Sequence, residues 1–409
     1  SEMKIIEDEI NPTLKPRKVF IDKEPKKVKY LQDGRFSAVS VRMLSQFLGT
    51  EIKQTDTDKW QPNKTFQRFN MVEADLGNMD QVRGMLLDNG WEPTQFTPKG
   101  EPKITDDSLT NVVSELGKKI IYYYSLRSRH SVLKGWIELA ELNNNRVYVE
   151  AFNIGTPTFR QRHSKIVNVP GAKSFFGSEM RELFQSDEGK VMIGCDSSGN
   201  QIRALAHYLN NKEVNNHILK GDIHQHNADT IGIPRPLAKG VLYASVFGAG
   251  VKKLGKMVTG IEDLDKGKEV KAKLYEALPG LKELIAKLNN FFYTTQNKTG
   301  YGYIPALDGR KVYAESSFKL LNYLLQSFEA ITVKTAVVNA FKMFKEENLE
   351  VDMLALVHDE VQVQTQPQNV KRVKEILAFS FGEYITKTLN LNIEMSGDAK
   401  EGLNWNETH

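Results

Sequence analysis

Two carboxylates stand at positions suited to chemistry. Asp196 closes the apolar run VMIGC (191–195) and is followed at once by SSGNQIRALAHYL, which has helical character. Asp359 lies at the tip of LALVHDEVQV, whose two short apolar arms are separated only by His358 and Asp359. Strand ends and tight hairpin tips are places where side chains converge at a sheet edge. A carboxylate pair without Cys or His ligands suits a hard, oxygen-loving cation, Mg2+ or Mn2+. Two such ions, roughly 3.5–4 Å apart, activate an attacking hydroxyl and stabilise the leaving oxygen of a phosphoryl displacement. Taken singly, either aspartate is more readily read as a turn or cap residue.

A third segment bears on the choice. In IPRPLAKGVLYASVFGAG (233–250), Arg235, Lys239, Tyr243 and Phe247 recur every four positions. At about 100° per residue each step drifts by about 40°, so the four share one helix stripe about 120° wide. Pro236 suits a first helical turn, and Gly248 and Gly250 suit a helix end. Two cations followed by two aromatic rings match a ligand with phosphates at one end and a flat base at the other. An amphipathic helix with a charged end is the plainer alternative.

These segments need elements to hold them. Residues 1–65 are rich in Pro, Lys and Asp with weak periodicity and read as irregular or loosely helical. Helical patterns dominate 70–145, strand-like pieces follow in 146–193, and helices return from about 199 to 300. One long helix is expected over 317–346, then the hairpin, then a final helix near 368–388. The pattern predicts an α+β fold with a small sheet assembled from distant parts of the chain. The chain has 409 residues, 40% hydrophobic and 26% charged, enough for two or three domains with a substantial core.

A net charge of +4 excludes little, although Lys15, Arg17, Lys18, Lys23, Lys26, Lys27 and Lys29 form one basic run, and Arg160, Arg162, His163 and Lys165 another. Such runs follow a phosphate backbone or make a solvated face. A single cysteine, Cys195, excludes a disulfide framework and a multi-cysteine zinc site. No apolar run reaches the length of a membrane span, and no secretory leader is visible. A cytoplasmic protein is expected, in a host's cytoplasm if the chain is phage-encoded, with no membrane partner.

DSSGNQIR (196–203), RPLAKGVLYASVFG (235–248) and VHDE (357–360) resemble the three polymerase motifs of family A DNA-dependent DNA polymerases, with the phage-type branch nearest. The resemblance runs from about Gly90 to the C-terminus and takes in GWEPTQFTPKGEP, TFRQRHSKIVNVPG, LKGDIHQHN, LDGRKVY, LLNYLLQS and LNWNETH. It implies a right-hand fold. Residues 66–150 would be the thumb, 151–203 and 302–409 the palm, and 204–301 the fingers; residues 1–65 lie outside the resemblance and are read as an N-terminal extension for binding DNA or a partner. It also implies that Asp196 and Asp359 hold two Mg2+ ions, replaceable by Mn2+, with help from the backbone carbonyl of Ser197. Arg235, Lys239 and His224 would grip the triphosphate of a dNTP, with Lys239 protonating the leaving pyrophosphate. Tyr243 would lie against sugar and base. Arg160 and His358 would contact the primer, Asn322 and Gln326 the minor groove, and Arg203 the DNA. Glu360 completes the hairpin motif and is grouped with the catalytic residues.

The chain departs from the family pattern in an instructive way. Gln201 stands where relatives usually have a glutamate that excludes a 2′-hydroxyl, and Phe247 where they have the tyrosine that hydrogen-bonds it. Both partners have changed together, and a neutral glutamine needs less compensation than a buried unpaired carboxylate. Phe318 replaces a polar or basic residue near the primer. No 3′–5′ exonuclease motifs precede the palm, so proofreading is not expected, and a separately encoded exonuclease or processivity factor is an expected partner. Two rival readings remain: a single-subunit RNA polymerase-like enzyme and a catalytically inactive DNA-binding relative.

Overall fold

The computed structural model describes residues 2–22, 24–93, 101–102, 104, 115–148, 150–166 and 169–409. Most of GWEPTQFTPKGEP, residues 105–114 of the stretch expected to be mainly helical (70–145), and Val167 and Asn168 of TFRQRHSKIVNVPG lie outside them. The chain forms two compact units, Ser1–Ile137 and Glu138–His409. Among the described residues no helix is long and apolar enough to cross a membrane.

In the first unit, residues 1–65 are more ordered than their composition predicts. The helix Glu2–Ile10 buries Ile6 and Ile10 beside Leu76, Val82, Leu86 and Trp91. A second core gathers Phe36, Leu44, Trp60 and Phe66 around the helix Ala38–Leu48, which Ser37 caps by accepting from the Ser40 amide. Two antiparallel ribbons join Arg17–Phe20 to Phe69–Val72 and Lys26–Lys27 to Thr65–Phe66, so the expected boundary at 65 cuts through paired strands. The elements are too short for periodicity to reveal them, and contacts between distant segments build them instead. Part of the basic run is spent internally: Asp22 pairs with Lys26 and Arg68, and Lys15 with Asp88.

The second unit is built on a four-stranded antiparallel sheet in the order Val351–Val357, Glu360–Thr365, Val191–Ser197, Gly397–Gly402. The hairpin is the expected one, and His358 at its tip takes φ 56°, the left-handed conformation that a two-residue turn demands at its first position. The last strand was not foreseen. Its sequence GDAKEG has poor strand propensity, and it pairs because the central strand offers it an open edge. The strand EVQVQT is buried along its whole length, polar positions included. Gln362 bonds Thr408, and Gln364 bonds Asp187 and Asp352.

The helix Leu320–Glu346 passes through the core with Leu324, Phe328, Ala336 and Phe344 all buried, as its apolar composition on every side predicts. Helices Ile223–Ile231, Arg235–Val246, Val251–Thr259, Leu264–Ala277 and Leu281–Thr299 follow in series between the two strand-bearing stretches. The sheet is therefore closed by segments far apart in the chain, which is what brings the aspartates together.

Candidate active site

Asp196 is the penultimate residue of the strand Val191–Ser197 and lies directly opposite Glu360 on one side and Asp398 on the other. The Ser197 amide donates to the Asp359 carbonyl at 3.0 Å, which ties the strand end to the hairpin tip. Burial, followed by the charges of Asp359 and Glu360, pushes the Asp196 carboxyl up to about 7. Burial also raises Asp359. Among the described residues, no side chain donates a hydrogen bond to either carboxylate. Two half-buried acids that repel one another and lack side-chain donors fit a hard divalent cation. No group of three or more His, Cys, Asp or Glu residues among the described residues is arranged for a metal. The set on offer is thus the two aspartates with backbone oxygen.

Glu360 is buried, and its carboxylate accepts from the Trp405 indole at 2.8 Å, from the Gln362 amide, and contacts His409 Nδ1 at 2.8 Å. Burial alone would raise its pKa, but the bonds from His409, Trp405 and Gln362 outweigh it and hold the carboxyl below its ordinary value. Both oxygens are engaged by the C-terminal segment and a strand neighbour.

The helix Arg235–Val246 buries Ala238, Val241, Leu242 and Val246 and leaves Arg235 and Lys239 exposed. Pro236 is in its first turn and Gly248, with φ 81°, follows its cap, Phe247. Tyr243 is half-buried, and burial, followed by the charges of Asp359 and Glu329, raises its pKa. Phe247 stacks on Tyr243, with centroids 6.5 Å apart and planes 25° apart. Asp222 caps the preceding helix through the His224 and Gln225 amides and accepts from Arg235 Nε at 2.7 Å. His224 has its Nδ1 buried without a partner, and burial, then Lys239 and Arg235, lower its pKa. Lys239 has no carboxylate partner among the described residues.

Arg160, Gln326 and His358 line one cleft of about 380 Å³, together with Thr158 and Tyr323. The loop bearing Arg160 is anchored by the Lys334 ammonium, which bonds the Asn153 and Phe159 carbonyls. Phe159 itself takes φ 63°. Arg160 forms an ion pair with Glu329, its Nε buried and unpartnered. Asn322 Oδ1 is likewise buried without a partner.

Gln201 has a partner of its own: its Nε2 donates to Glu329 Oε2 at 2.9 Å. The Arg203 guanidinium donates to the Ser198 carbonyl at 2.8 Å and to the Glu394 carbonyl.

Asn200, Asp222 and Glu329 were missed. Asn200 ties Ser197 to Thr332 across the core. Asp222 carried the signal of an N-cap before a helix. Glu329 was legible too, as a lone acid inside the apolar run LLQSFEAITV, where burial demands a partner.

The model for DNA polymerase family A matches residues 40–407, and the chain belongs to that family. It is 27% identical over 399 residues to the DNA-directed DNA polymerases of Enterobacteria phage T3 and of Escherichia phage T7, an alignment covering 88% of this chain and 56% of each relative. It is 26% identical over 318 residues to DNA polymerase I of Aquifex aeolicus, covering 73% of this chain and 53% of that protein. The chain thus spans little more than half the length of these relatives. Among solved structures, the polymerase domain of Pol1 from M. smegmatis, in complex with DNA primer-template and dNTP, matches with a TM-score of 0.71 at 17% identity, covering 82% of this chain and 62% of that one. The α+β architecture is therefore that of a family A polymerase domain.

Proposed function

We propose that this chain is a template-directed DNA polymerase that adds deoxynucleotides to a primer 3′-hydroxyl. The observation that carries the reading is the convergence of Asp196 and Asp359 at one end of the sheet, where the Ser197 amide ties the strand to the hairpin tip. Membership of the family supports it, and the phage relatives bear the name DNA-directed DNA polymerase. Their names, and the presence of Asp196, Asp359, Arg235 and Lys239 together in one chain, weigh against the RNA polymerase-like and inactive readings.

We assign 66–150 to the thumb, 151–203 and 302–409 to the palm, and 204–301 to the fingers. Asp196, Asp359 and the Ser197 carbonyl would hold two Mg2+ ions, or Mn2+ in their place. When bound, such ions favour ionisation of the primer hydroxyl and neutralise charge on the leaving oxygen. The chain's own groups do the rest. Arg235, oriented by Asp222, clamps the triphosphate beside His224. Lys239 gives its proton to pyrophosphate as the α–β phosphate bond breaks and the new bond to the primer oxygen forms. Tyr243 and Phe247 bear on sugar and base. Arg160, Gln326 and His358 receive the primer end in their shared cleft, with Asn322 nearby on the same helix face as Gln326.

Primer extension on a primed template with Mg2+, with deoxy- and ribonucleotides run in parallel and Asp359→Ala as blank, tests the proposal. Extension that disappears in the variant supports it. No extension by the unaltered chain overturns it. We assign no proofreading to these residues, and shortening of a mismatched primer without nucleotides would count against that. A separately encoded exonuclease or processivity factor would be sought by co-purification from the native source.

A further inference from the structure

Glu329 is 1% exposed in the middle of the helix Leu320–Glu346, yet it carries a carboxylate. Its two oxygens face two different parts of the site. Oε1 accepts from Arg160 Nη2, and Oε2 accepts from Gln201 Nε2 at 2.9 Å. Arg160 lies in the cleft shared with Gln326 and His358, whereas Gln201 opens the helix behind Asp196. Arg160 has little else to orient it, because its Nε is buried without a partner. Its loop is already fixed by Lys334, so the guanidinium is aimed by Glu329 alone among the described carboxylates. Gln201 likewise makes its side-chain bond to Glu329 and none to Phe247, which stacks on Tyr243 instead.

A buried charge of this kind is destabilising unless both oxygens are satisfied, and here they are satisfied by one residue from each side. The amide group of Gln201 is therefore not a loose wedge. Its donor end is engaged by a charged acceptor, which holds the side chain in one rotamer and leaves its bulk in a set place.

We propose that Glu329 is a specificity-determining positioning residue, which fixes Gln201 at the sugar of the incoming nucleotide and Arg160 at the primer end as one unit. The proposal rests on the polymerase reading above. It predicts that discrimination against ribose depends on the tether and not on the volume of Gln201 alone.

The test compares kcat/KM for a deoxynucleotide and the matching ribonucleotide on one primed template. In Glu329→Gln the preference for deoxynucleotide should fall roughly tenfold or more, the scale of losing a bond to a charged group. The apparent Kd for primer-template should rise in the same variant as Arg160 loses its anchor. Gln201→Leu keeps the bulk, removes the tether and leaves Glu329 paired with Arg160, so it reports even where Glu329→Gln does not fold. It too should lose discrimination, and the double variant should lose no more than the larger single effect. An unchanged ratio in Gln201→Leu, or additive losses in the double variant, would overturn the proposal while normal extension leaves the polymerase reading standing. Absence of extension by the unaltered chain would overturn both.

Discussion

Asp196 carries a conflict between stability and function. Its carboxyl titrates at about 7 in the folded chain, pushed up by burial and then by Asp359 and Glu360, against roughly 4 in an unfolded chain. A folded pKa above the unfolded value means the folded state binds the proton more tightly. Stability from this group is therefore full below about pH 4, declines between about 4 and 7, and is level above. Added Mg2+ should restore the loss by binding only the folded chain. Asp196→Asn removes the repulsion, so in the absence of divalent ions at pH 8 it should unfold at a higher temperature than the unaltered chain while losing extension. Thermal melts with and without Mg2+ check this, and a variant that melts lower would count against the conflict. Glu360 has the opposite sense, since its bonds are made to the charged form. Glu360→Ala leaves the Trp405 indole, the Gln362 amide and His409 without their acceptor. A loss of about 3 kcal/mol in urea denaturation is expected from buried donors left unpaired.

At the scale of elements, the helix Arg235–Val246 works because its end is sharply defined. Gly248 takes φ 81°, and a Cβ there would stand 2.4 Å from the Phe318 carbonyl oxygen. Gly248→Ala therefore meets both backbone strain and a contact with main chain that cannot give way easily. It should cost about 2 kcal/mol or more, and nucleotide affinity should weaken as Tyr243 and Phe247 shift. Comparing urea midpoints with KM for the nucleotide separates the two effects. The hairpin and the helix face were legible because both signals are local: two apolar arms around HD, and a four-residue recurrence of Arg235, Lys239, Tyr243 and Phe247. The strand Gly397–Gly402 and the ribbons of residues 17–72 were not, because their residues have weak intrinsic preference and form only against a partner.

Over the whole molecule, the two units have separate hydrophobic cores, and every candidate site residue lies in Glu138–His409. Net charge of +4 cannot carry strong binding to nucleic acid by itself. On the proposed function, contacts between placed cations such as Arg160 and individual phosphates would do so, and these release counterions. Affinity for primed DNA should therefore fall by about 10³ or more between 50 and 200 mM salt if some six phosphates are neutralised. A filter-binding or anisotropy titration across that range checks it, and a flat response would argue against phosphate-led binding.

What could be read from the chain itself was periodic or terminal: Asp196 at a strand end, Asp359 at a turn, one helix with cations and rings on a single stripe. Such signals survive in one dimension because backbone geometry sets which neighbours share a face. Tertiary structure decided the choice of partner. Gln201 found Glu329 and not an aromatic, Arg203 took backbone carbonyls, and Glu360 turned to Trp405 and His409. Each choice satisfies a buried polar group, and the groups able to satisfy it come from segments that only packing brings together.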